Sequence, residues 1–122
     1  MLIACARAVT LAGLVPIFID CGPDLLMDPD LVHDAVMDCY GGMGWKPGRQ
    51  ISAIMPVHVY GRRCDMFRLR KATESFGIAM VEDLAEGHGI EPYISDAACW
   101  SFYRNKIIAG EEGGAVGFRE EE

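Results

Sequence analysis

The sequence predicts an α/β fold, a three-layer α/β/α arrangement around a mostly parallel sheet covered on both faces. Two patterns carry that expectation. The apolar runs Val15 to Ile19, Ile51 to Val59 and Ile78 to Val81 lack polar alternation, so they suit strands buried on both sides. Between them lie segments with apolar residues at three-to-four spacing, the period of an amphipathic helix. Length bounds the rest: 122 residues form a single domain over 1–122, too small for an elaborate two-domain enzyme.

Leu2 to Ala12 is small and apolar and ends at Gly13, which predicts a buried helix with a glycine cap. Val15 to Ile19 predicts a short strand running into Asp20 and Cys21. Asp28-Pro29 opens the next helix, Asp as N-cap and Pro at the first helical position, with Leu31, Ala35 and Cys39 on one face and Val32 and Val36 beside them. Gly41-Gly42-Met43-Gly44 and Pro47-Gly48 mark a loop, and Ile51 to Val59 predicts a second strand stopping at Gly61. Asp65 caps a helix carrying Met66, Leu69, Ala72, Thr73 and Phe76, and Gly77 ends it. Ile78 to Val81 predicts a third strand, ending at Glu82-Asp83, with further strands at Ala97 to Phe102 and Gly114 to Phe118. Ligands of such sheets bind beyond the carboxyl ends of the strands, which singles out Asp20, His58, Tyr60, Asp83, Glu86, Ser101 and the loop through Lys106.

Composition excludes several classes. Hydrophobic residues are 51% and charged residues 24%, as in ordinary globular domains, so disorder and fibrous folds are set aside. The net charge of −7 and scattered Lys and Arg residues leave no basic stripe for nucleic acid. Five widely spaced cysteines with no CxxC pair argue against a disulfide framework and a zinc site, and for a reducing cytoplasm. Met1 to Cys5 looks superficially like a lipoprotein box. No charged or adequately apolar stretch precedes Cys5 and Arg7 interrupts the apolar residues after it, so no signal peptide is expected; no apolar run is long enough to span a bilayer. The acidic end Glu120-Glu121-Glu122 reads as solvated. The glycine stretches Gly41 to Gly44 and Gly110 to Gly114 match neither GxGxxG nor a P-loop. His58 and His88 lack metal-ligand partners at suitable spacing and read as hydrogen-bonded structural histidines; His33 lies on an exposed helix.

Three segments taken together carry a resemblance. They are Pro56-Val57-His58-Val59-Tyr60-Gly61, then Val81-Glu82-Asp83-Leu84-Ala85-Glu86-Gly87-His88-Gly89, then Ala97-Ala98-Cys99-Trp100-Ser101-Phe102-Tyr103-Arg104-Asn105-Lys106 followed by Glu112-Gly113-Gly114-Ala115-Val116. In order and spacing they resemble the DegT/DnrJ/EryC1/StrS sugar aminotransferases, enzymes of fold-type I that use pyridoxal 5'-phosphate (PLP). The likeness runs back through Ala4 to Asp20. It implies the central part of the large domain, with the family's phosphate-cupping turn, its ring-stacking aromatic and its C-terminal small domain outside residues 1–122. The loop from Gly89 to Asp96 is shorter than is usual in the family, and Glu111 stands where glycine is common.

The resemblance implies a role for each of four residues. Transamination needs an amine that binds the cofactor aldehyde, a lysine able to lose its proton in a partly dry site, and Lys106 stands there; the plainer reading is a solvated surface lysine. Asp83 stands where a carboxylate keeps the pyridine nitrogen protonated, and a helix N-cap is the plainer alternative. Glu86 occupies the position near the ring's 3'-oxygen, and Ser101 the position whose hydroxyl binds the phosphate; a serine satisfying its own backbone is the alternative. The implied substrates are a nucleotide-linked keto sugar and an amino-acid amine donor, glutamate or glutamine. Asn105-Lys106, Glu86 and Glu112-Gly113-Gly114 lean toward the perosamine synthase branch, which serves amino-sugar and O-antigen synthesis. Lys106 argues against the related sugar dehydrases, which carry histidine there. No nucleic acid or membrane partner is implied; a homo-oligomer or a completing chain is. The competing expectation is a truncated, non-catalytic α/β domain or one subunit of a split enzyme; a generic Rossmann-like binding domain has no fingerprint.

Overall fold

The computed structural model describes residues 3–40, 50–92 and 94–120. The loop expected at Gly41 to Gly44 and Pro47-Gly48, and Glu121 and Glu122 of the acidic end, lie outside the described residues. Helix α1 (Ala4–Leu11) ends as its sequence dictates: Gly13 takes φ 77°, and the amides of Gly13 and Leu14 turn back to the carbonyls of Thr10 and Val9. The expected burial of this helix is not found, since none of its residues is buried.

The strand expected over Val15 to Ile19 does not form either. This segment forms no regular element, none of its backbone groups bonds to another described residue, and Val15 and Phe18 are 66% and 75% exposed. A strand exists only through a neighbour that takes up its amides and carbonyls, and none of the described residues does so here.

Helix α2 (Pro29–Tyr40) starts where Asp28 accepts the Asp30 amide at 2.8 Å. Its inward stripe is Val32, Ala35, Val36 and Cys39, the i, i+3, i+4, i+7 series, with Val32 and Val36 fully buried. Leu31, expected on that face, falls one position outside it and is 40% exposed. Strand β1 is short (Ala53–Ile54), and the rest of the expected Ile51 to Val59 strand contributes only a bridge from Val57 to Asp83. Helix α3 (Met66–Thr73) is capped by Asp65, whose carboxylate accepts the Arg68 amide at 3.0 Å, and its inward residues Met66, Leu69, Ala72 and Thr73 are buried. Gly77, at φ 64°, ends the 3₁₀ turn that follows.

Strands β2 (Ala79–Asp83), β3 (Ala97–Ser101) and β4 (Gly114–Phe118) complete a four-stranded sheet in the order β1-β2-β3-β4. The first three run parallel and β4 is antiparallel to β3, so the sheet is mostly parallel. Only glycine fits at Gly114: a Cβ there would stand 2.6 Å from the Trp100 carbonyl oxygen on β3.

Successive strand residues point to opposite faces. On one face Ile54 and Met80 join Val32, Val36 and Leu69 in the hydrophobic core, which places α2 and α3 there. On the other, Val81 and Asp83 look toward α1, which meets the sheet through Cys5. That second face is thinly covered. An apolar groove of about 690 Å³ opens at the β1 edge and reaches both faces there, lined among others by Cys5, Val9, Val15, Ile17, Ile54 and Val81. Among the described residues no helix is long and apolar enough to cross a membrane.

Candidate active site

The carboxyl ends of the parallel strands meet around Asp83, the last residue of β2. Its backbone is tied on one side to the turn after β1, with the His58 amide donating to the Asp83 carbonyl at 3.1 Å and the Asp83 amide to the Pro56 carbonyl at 2.8 Å. On the other side Asp83 stands in register with Cys99 of β3. Its side chain is fixed at both oxygens: Oδ1 accepts the Ala85 amide at 2.9 Å and Oδ2 accepts the Cys5 thiol at 3.0 Å. No helix follows it, so the helix-cap alternative is replaced by a tight Asx turn at the strand end.

Its neighbour Glu82 points the opposite way, into the buried face, where it and His58 are fully buried. His58 Nε2 lies 2.8 Å from Glu82 Oε2, the Ser95 hydroxyl donates to Oε1, and the Cys64 amide donates to His58 Nδ1 at 3.1 Å. A nitrogen that accepts from an amide carries no proton, so the ring is held as the tautomer with hydrogen on Nε2, donating to Glu82. Burial works to raise the Glu82 carboxyl, but the hydrogen bonds from His58 and Ser95 outweigh it and hold the group below the usual carboxylate range. This network locks the turn carrying Tyr60 and Gly61 to β2, and His58 is the structural histidine the sequence suggested.

Glu86, three residues past Asp83, accepts the Tyr60 amide at 2.8 Å through Oε2. That bond holds Tyr60 in the left-handed region at φ 56°, with its ring 76% exposed. Ser101 closes β3, and its Oγ accepts the Tyr103 amide at 3.3 Å, which leaves its own hydrogen free to donate. Lys106 lies in the loop joining β3 to β4, half-buried, and its ammonium meets no partner among the described residues. That loop is pinched at its neck by the Phe102 amide on the Gly113 carbonyl and the Gly110 amide on the Phe102 carbonyl.

The fold thus brings Asp83 and Ser101 to the ends of adjacent strands, with Glu86 and Lys106 in the loops that leave them. Asp20 stands apart, exposed, and accepts its neighbour's amide from Cys21. Contrary to expectation, His88 has no hydrogen-bond partner among the described residues: both ring nitrogens are buried, and the ring lies 6.0 Å from that of Phe102. Sequence reasoning missed Cys5, which reaches Asp83 across 78 positions and carries no local signal, and Ser95, whose role shows only once Glu82 is known to face inward.

A carboxylate fixed through both oxygens, a hydroxyl with a free hydrogen and an amine without a partner among the described residues are the kinds of group that a phosphorylated pyridine aldehyde requires, so these residues fit PLP. The comparisons with known proteins agree with that chemistry. Residues 2–122 match the model of the DegT/DnrJ/EryC1/StrS aminotransferase family. The chain is 38% identical over 118 residues to a dTDP-3-amino-3,4,6-trideoxy-alpha-D-glucose transaminase of Micromonospora megalomicea subsp. nigra, covering 90% of this chain and 29% of that protein. It is 31% identical to the GDP-perosamine synthase of Caulobacter vibrioides, over 93% of this chain and 30% of the relative. Among solved structures, NtdA of Bacillus subtilis with bound cofactor PMP superposes with a TM-score of 0.77 at 28% identity, over 94% of this chain and 25% of that one. The chain therefore spans under a third of the length of these relatives.

Proposed function

Because the chain belongs to the DegT/DnrJ/EryC1/StrS aminotransferase family, we propose that it carries the cofactor-binding centre of a PLP-dependent aminotransferase acting on a nucleotide-linked keto sugar. Glutamate or glutamine is the amine donor, and the perosamine-like reading has a 4-keto carbon of a GDP-linked 6-deoxyhexose as acceptor. The observation that carries the proposal is Asp83, a carboxylate oriented through both oxygens at the end of a parallel strand, beside Ser101 and within the family's motif order.

Bound at this site, PLP supplies an aldehyde that takes up amino groups and a cationic ring that draws electrons from the adjoining carbon. Asp83 holds the proton on the ring nitrogen. Ser101 would hold the phosphate through its free hydrogen, and Glu86, one oxygen already on Tyr60, would stand near the ring's 3'-oxygen. Lys106 would supply the amine that holds the aldehyde, and the same amine would be the group able to carry a proton at the substrate carbon. The cytoplasm supplies both substrates.

Borohydride reduction of the chain incubated with PLP, followed by peptide mapping, tests the assignment. A reduced adduct at Lys106 is expected, and labelling mainly at Lys46 or Lys71 overturns it. A second reading, a subunit whose site is finished by another chain or by a second copy, is favoured by the groove at the β1 edge, where the backbone of Val15 to Ile19 bonds to none of the described residues.

A further inference from the structure

Asp83 and Cys5 lie 78 positions apart, and their contact is the one side-chain hydrogen bond between α1 and the sheet among the described residues. Each carboxylate oxygen has two acceptor positions. The Ala85 amide fills one on Oδ1 and the Cys5 thiol one on Oδ2, so the plane of the group is set and one position on each oxygen stays open. The thiol reaches Oδ2 from the groove side, where Val81 and Val9 make the surroundings apolar. The other titratable group facing Asp83 is Cys99, its register partner on β3.

We propose that Cys5 is a positioning residue for Asp83, its thiol holding Oδ2 so that the carboxylate stands ready for a cationic ring nitrogen. This rests on the reading of Asp83 as the ring's partner. A thiol is a weak donor, so it orients the carboxylate while drawing off little of its charge; a hydroxyl in its place would draw more, and a methyl group none. Burial first, and then the Asp83 carboxylate, push the Cys5 thiol up to about 12, so the hydrogen that makes the bond stays in place at neutral pH.

The test begins on the chain without cofactor. Iodoacetamide labelling is followed by peptide mapping, with exposed Cys21 as internal reference. Asp83→Asn removes the negative charge and is expected to speed labelling of Cys5 roughly tenfold at pH 9, the gain that one unit of thiol pKa gives. With PLP added, Cys5→Ala should weaken association several-fold and Cys5→Ser should restore it. Unchanged Cys5 labelling in Asp83→Asn overturns the proposal at the level of the contact, and PLP association indifferent to Cys5→Ala overturns it at the level of positioning. Failure of the underlying reading looks different: Cys5 labelling still accelerates, but Asp83→Asn binds PLP with the parent's affinity and absorbance. That result leaves the hydrogen bond standing and overturns its positioning role.

Discussion

Glu82 and Asp83 are adjacent on β2 yet face opposite sides of the sheet, and that single step separates a structural carboxylate from the one proposed to do chemistry. Glu82, held below its ordinary value of 4.5, stabilises the fold above that pH and loses the contribution as pH falls through its lowered value. Glu82→Gln should therefore lower the melting temperature at pH 7 and flatten its fall below about pH 4.5, read by circular dichroism across a pH series. At Asp83 the expected effect is on chemistry. In the enzyme completed in trans or by fusion, Asp83→Asn should retain PLP but react with glutamate several powers of ten more slowly by stopped-flow absorbance. Lys106→Ala should abolish the borohydride-reducible adduct altogether while the cofactor still binds through Ser101 and Asp83. An Asp83→Asn enzyme as fast as its parent would make Asp83 a strand-end turn and nothing more.

Elements with chemical punctuation were legible. Asp28-Pro29, Asp65 and Gly77 mark helix ends by local hydrogen bonding and backbone freedom, and the structure places those ends where the residues do. Strands β2, β3 and β4 follow their apolar runs, because each has a neighbour to pair with. Val15 to Ile19 has the same apolar character without such a neighbour, and pairing is not written in a segment's own residues. The inward stripe of α2 was misplaced by one residue because Leu31 is as apolar as Val32, and only packing against Leu69 and Met80 decides between them. The four candidate site residues were legible through motif order, their supports were not: Cys5 and Ser95 act across the fold. At the β3–β4 pairing, Gly114→Ala would press a methyl group on the Trp100 carbonyl. It should cost about 1–3 kcal/mol in urea unfolding, and a neutral result would mean the hairpin shifts freely.

For the molecule as a whole, the apolar groove bears on association. Leu11, Val15, Phe18 and Ile3 expose apolar surface beside a backbone free to pair, a combination that favours association. The chain should sediment as an oligomer or aggregate at high concentration, and a monodisperse monomer would contradict this. The contact between Cys5 and Asp83 closes a span of 78 positions, whereas the loop bearing Lys106 is closed locally at its neck by Phe102 and Gly113. Loop closure grows with the logarithm of length, so the long contact carries an entropic handicap of about 2 kcal/mol relative to the hairpin. The two halves of the candidate site therefore ripen at different moments in folding. The lysine's hairpin assembles early, within its own stretch of chain, and the thiol settles on the carboxylate last. Since α1 has no buried residue to retain it, the same helix is the first to leave when the native state opens, and Ala8 to Leu11 should exchange their amide hydrogens well before Met80 to Glu82.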